Sequence, residues 1–145
     1  MKYLGIDYGS KRTGIAVSDE RGAYAFPKKV FVTSGKLAAQ VKECVIEYGA
    51  QAIVLGESRD YKGLPNKVMK DVLSFKKELE GLTRLPVYLE PEFMTSMQAE
   101  RLDGELGGKK DMLDATAAAF ILQSFLDKLE KLGTPDTSDK NVSNV

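Results

Sequence analysis

Histidine is absent from the sequence, and Cys44 is its single cysteine. Those shortages exclude disulfide frameworks, Cys/His zinc sites and every histidine-dependent triad. Any catalysis must run on carboxylates, hydroxyls or amines. Net charge is missing as well, because 21 Lys and Arg balance 21 Asp and Glu. With no global basic field, a nucleic-acid partner would have to be held by a local patch. No apolar run approaches the ~18 residues that span a bilayer. The opening Met1-Lys-Tyr-Leu-Gly-Ile6 runs straight into a strand pattern, without the apolar stretch and small-residue cleavage site of a secretory signal. The expected address is the cytoplasm, with no membrane partner.

What is present suits one globular domain. The chain has 145 residues, 43% of them hydrophobic and 29% charged, and a domain of that size buries roughly two-thirds of its unfolded surface. Residues 2–7 and 13–18 read as strands joined by a Gly-Ser-Lys-Arg turn at 9–12, and a third strand is expected within 23–33, where Val30-Phe-Val-Thr33 has high β propensity. Leu37, Val41, Cys44, Val45 and Tyr48 recur at helical spacing before Gly49, which predicts a helix over 35–48. Ala52-Ile-Val-Leu55 is a short continuous apolar run, as expected of a strand buried on both faces, and it ends at Gly56-Glu57. Val68, Val72, Phe75 and Leu79 mark a second helix, and Pro86-Val-Tyr-Leu-Glu90 a fifth strand. A short helix near Thr95, a loop over 104–110 and a last helix from Asp111 to Leu132 complete a domain over 1–132. Residues 133–145 lack apolar periodicity and read as a disordered tail. The order implies a mixed sheet with three antiparallel strands followed by parallel additions, flanked by helices on both faces, an α/β architecture.

The carboxylates carry the chemistry. Strand alternation puts Tyr3, Gly5 and Asp7 on one face, with Asp7 at the strand end; on position alone an aspartate there is more often a turn residue capping the hairpin. Asp111 and Asp114 lie three apart at the start of the last helix, where either also suits a cap. Asp114 leads into Ala115-Thr-Ala-Ala-Ala119, a small-residue face that would let the helix approach the sheet and bring Asp114 near Asp7. Glu57, Glu90 and Glu92 are read as lying just beyond strand ends. Hard oxygen ligands of this kind suit Mg²⁺ or Mn²⁺, and without histidine a two-metal cluster is the most economical hydrolytic device, phosphodiester cleavage being its commonest use. Lys11, Arg12, Arg59, Lys62, Lys109 and Lys110 are all assigned to loops, and would supply local phosphate contacts if they ring one cleft.

Gly5-Ile-Asp-Tyr-Gly-Ser-Lys-Arg-Thr-Gly-Ile-Ala-Val17, Val54-Leu-Gly-Glu57, Met94-Thr-Ser-Met-Gln-Ala-Glu-Arg101 and Asp114-Ala-Thr-Ala-Ala-Ala-Phe-Ile-Leu-Gln-Ser-Phe-Leu-Asp127 together resemble the YqgF family, also called RuvX or Holliday-junction-resolvase-like proteins. The resemblance covers about residues 1–130. It implies an RNase H-like fold and a nuclease that matures the precursor of small-subunit ribosomal RNA. It also implies that Asp7, Glu92 and Asp114 are the catalytic, metal-binding carboxylates, with Glu57, Glu90 and Asp111 as further candidates. The family's Asp-Glu-Arg-Leu-Thr-Thr stretch reads Pro91-Glu-Phe-Met-Thr-Ser96 here, so one carboxylate and one arginine are replaced. The substrate class is structured RNA or branched DNA, and the protein a monomer or homodimer; a junction resolvase would need two sites facing two strands.

Two other readings share these motifs. The first hairpin also looks like the phosphate-binding hairpin of actin- and hexokinase-like clamps, of which 145 residues supply one half. A binding module that keeps the fold without catalysis is the other, motivated by Pro91, Phe93 and the sparse basic loops.

Overall fold

The computed structural model describes residues 1–57, 67–91 and 110–132. The short helix expected near Thr95, most of the loop after it, and the tail over 133–145 lie outside them. Five strands and three helices are described: β1 (Tyr3–Asp7), β2 (Arg12–Ser18), β3 (Ala25–Val32), α1 (Leu37–Tyr48), β4 (Ala52–Glu57), α2 (Lys67–Thr83), β5 (Val87–Pro91) and α3 (Lys110–Lys131). They form one five-stranded sheet in the order β3-β2-β1-β4-β5. The first three strands pair antiparallel, and β4 and β5 add in parallel. The mixed sheet read from the sequence is therefore the one observed.

Its two faces are covered differently. Leu4, Ile6, Ile15, Val17, Ile53, Leu55 and Val87 project to one side and meet Leu37, Val41 and Cys44 of α1 with Val72, Phe75 and Leu79 of α2. This is the main core. Burial of the Cys44 thiol there pushes its pKa up, which keeps it protonated and inert. Helix α1 ends where Gly49 takes a left-handed backbone (φ 69°) and donates its N–H to the Val45 carbonyl. On the other side Ala16 and Val54 meet Ala118, Ala119, Ile121, Leu122 and Leu126 of α3. Strand β4 lies between the layers, which is why Ala52-Ile-Val-Leu-Gly56 is buried throughout.

Helix α3 lies across the sheet over β3, β2 and β1 and reaches β4 and β5, and three strand glycines make that crossing possible. A Cβ on Gly5 would lie 2.7 Å from Leu122 Cβ, and one on Gly56 would lie 2.6 Å from Ile121 Cδ1. A Cβ on Gly14 would run into the Asp114 backbone carbonyl itself. The alanine face of the helix was legible as a device for close approach; the complementary glycines on the sheet complete it.

Boundaries near the site differ from the sequence reading. Strand β4 continues through Gly56 and Glu57 because they pair with Glu90 and Pro91 of β5, so Glu57 is a strand residue, and Glu90 lies within β5, as in the strand read over 86–90, rather than beyond its end. Pro91 is tolerated because β5 is an edge strand at its last residue. Lys110, expected in a loop, is the first residue of α3.

Candidate active site

Asp7 is the last residue of β1 and pairs in register with Gly14 of β2. By strand alternation it shares the α3 face with Gly5, whose missing side chain is filled by Leu122. Gly14 in turn lies directly beneath the Asp114 backbone. One cross-strand pair thus brings the start of α3 over the strand end that carries Asp7. Gly14 is the residue sequence reasoning missed, although a glycine inside a strand is itself a signal of close backbone approach.

The Asp114 side chain is 25% exposed, and its Oδ2 accepts a hydrogen bond from Arg12 Nε at 2.9 Å. Arg12 is the first residue of β2, two before Gly14, and so on the same face. The sequence reading placed Arg12 in the turn as a phosphate contact; here its guanidinium rests on a proposed metal ligand. Lys11 is exposed in the turn before β2, where its carbonyl accepts the Thr33 N–H at 2.9 Å. Thr33 Oγ1 also donates to the Gly9 carbonyl at 2.7 Å, so the hairpin tip is fastened to the end of β3.

Tyr8 follows Asp7 and turns to the opposite face, its ring 5.2 Å from that of Phe75. Burial, then the carboxylates of Asp71 and Glu78, raise its phenol above the ordinary value. It stays neutral and packs beside the site.

Among the described side chains, Glu90 and Glu57 are placed away from this pair. Glu90 is on the α3 face but only 2% exposed, and its Oε2 accepts from Ser124 Oγ at 2.8 Å and from Lys128 Nζ at 2.6 Å. Ser124 follows Asp114 by ten residues in one helix, about 15 Å along its axis. Glu90 is therefore the anchor of the far end of α3, and its charge is already compensated. Glu57 shares strand parity with Ile53 and Leu55, which belong to the α1 and α2 face. Asp111 is in the first turn of α3. Glu92, Arg59, Lys62 and Lys109 lie outside the described residues. Among the described residues no group of three or more Asp, Glu, Cys or His side chains could hold a metal ion. Asp7 and Asp114 are nonetheless a fitting donor pair for a hard cation, since Mg²⁺ is commonly held by one or two carboxylates together with substrate phosphates.

The Holliday junction resolvase family RuvX matches residues 1–128. A relative from Nitratidesulfovibrio vulgaris (strain Miyazaki F), named "Putative pre-16S rRNA nuclease", is 41% identical over 141 residues, covering 93% of this chain and 99% of the relative. Among solved structures, Thermus thermophilus RuvC is similar with a TM-score of 0.59 at 21% identity, over 92% of this chain and 98% of that one. The fowlpox virus resolvase, solved with its Holliday junction DNA, gives 0.58 at 13% identity, over 89% and 99%. These two likenesses establish the RNase H-like fold. With the match running through both the first hairpin and α3, the chain belongs to the RuvX family.

Proposed function

We propose that this RuvX-family nuclease cuts structured RNA in a divalent-metal-dependent reaction and that its substrate is the precursor of the small-subunit ribosomal RNA. The observation that carries the reading is the seating of Asp114 over Gly14, the register partner of Asp7. Two carboxylates, one from a strand end and one from the early turns of a helix, then lie at the same end of the sheet. The names borne by the curated relatives supply the RNA.

In this reading Asp7 and Asp114 hold Mg²⁺ or Mn²⁺, with Glu92 as the third carboxylate of a two-metal set. A bound divalent ion would acidify an attacking water and offset the charge that builds on the phosphate oxygens. The chain's own residues do the rest. Gly14 fixes the position of Asp114, and Lys11 and Arg12, with Lys109 and Lys110 as further candidates, would contact the phosphate backbone. Lacking histidine, the protein has no imidazole to act as a base near neutral pH.

The test is cleavage of a transcript spanning the ends of the small-subunit precursor, beside a four-way DNA junction, in Mg²⁺ or Mn²⁺. Metal-dependent cutting of the transcript, abolished by Asp7→Asn, is the expected result. Preferential cutting of the junction, the activity in the family's description, would replace the RNA substrate. Binding of either nucleic acid without cutting would identify a binding module.

A further inference from the structure

We infer that Arg12 is a placeholder cation, pairing with Asp114 until a divalent ion displaces it and then turning its guanidinium to the phosphate of the bound strand. The inference rests on the reading of Asp7 and Asp114 as a cation site, and adds the event by which that site is filled.

A carboxylate at the site is stabilised by a positive charge beside it. Arg12 supplies that charge at Asp114. Its pairing with Asp114 joins residues 102 apart in sequence and is favoured by the backbone, since Arg12 and Gly14 share a strand face and the Asp114 backbone packs on Gly14. The bond uses Nε and a single carboxylate oxygen. An arginine cannot leave by losing its proton, so it leaves only by displacement. The pair is open to displacement, as the arginine side chain is 49% exposed and the aspartate 25%; contacts this exposed are weak and salt-screened. A divalent ion at the same carboxylate carries twice the charge. Once displaced, the planar guanidinium fork suits a phosphate better than any other side chain does. Metal binding and strand binding are thereby coupled through one residue.

Mn²⁺ titrated into the metal-free protein by calorimetry, in wild type and in Arg12→Gln, Arg12→Lys, Lys11→Gln and Asp114→Asn variants, tests this without reading activity. Arg12→Gln is expected to tighten Mn²⁺ binding by about two- to fivefold, the span of an exposed ion pair. Arg12→Lys should stay near wild type, and Lys11→Gln should change less than Arg12→Gln although it removes the same charge. In Ca²⁺, which leaves the strand intact, Arg12→Gln should gain less RNA affinity on metal addition than wild type does. Unchanged or weaker Mn²⁺ binding by Arg12→Gln, or an equal effect of Lys11→Gln, would overturn the placeholder. If Asp114→Asn leaves Mn²⁺ affinity untouched, the cation site itself is wrong, and that failure is distinguishable from the first.

Discussion

The two faces of the sheet are built on opposite terms. Against α1 and α2, large aliphatic side chains from both layers interdigitate, and the contact depends on their summed volume. Against α3 the sheet offers glycines, two of them filled by Leu122 and Ile121 side chains and the third, Gly14, meeting the helix backbone itself. Volume can be traded among neighbours in the first contact, whereas at Gly14 a single added methyl has nowhere to go. The thick face accounts for stability, and the thin one positions a carboxylate. Substitutions that act on one face and spare the other test this division.

The largest stability effect should come from the thick face. Leu79→Ala removes a fully buried side chain and is expected to cost about 2–5 kcal/mol by urea unfolding, while the fraction still folded cleaves at close to the wild-type rate. On the thin face Gly14→Ala should cost about 1–3 kcal/mol, yet lose cleavage far beyond its loss of stability, because Asp114 must move off the Asp7 pair. Comparable losses of activity from the two variants would erase the distinction.

Next in size is the far end of α3. Lys128→Met leaves the Glu90 carboxylate buried with Ser124 as its remaining donor among the described residues, and should cost about 1–2 kcal/mol. Pairing it with Glu90→Leu should recover part of that, since no charge is then left uncompensated. The smallest effect belongs to the turn before β3, where Asp19 accepts the backbone N–H groups of Ala23 and Tyr24 at 2.7 and 3.1 Å. The Tyr24 and Ala23 amides hold its pKa below the ordinary value. A folded value lower than the unfolded one means that this contribution is full above the ordinary carboxylate range and is lost as pH falls on through the lowered folded value. Asp19→Asn should therefore flatten the acid limb of a stability profile without changing cleavage.

Much of the thick face was legible in the sequence, because alternation in β1 and β2 and helical spacing at Leu37, Val41 and Cys44 report directly on buried side chains. The thin face was half legible. Ala115 to Ala119 announced a close helix, and Asp7 and Asp114 followed from it; the seat at Gly14 did not, because a glycine leaves no side chain to read. Periodicity also could not foresee that β4 extends to Glu57, which depends on pairing with a strand thirty-odd residues away. Nor could it foresee that the Glu90 side chain accepts from Ser124 and Lys128. Arg12 was singled out for its charge, but its partner 102 residues away is a product of tertiary structure.

The central claim is that Asp7 and Asp114 form one catalytic unit. A double-mutant cycle on the rate of metal-dependent RNA cleavage, using Asp7→Asn, Asp114→Asn and the combination, tests it most directly. Each single substitution should lower the rate by at least about a hundredfold, with the double variant no slower than the worse single one, as residues of one unit behave. Additive losses, or a single variant that cleaves at the wild-type rate, would contradict the account.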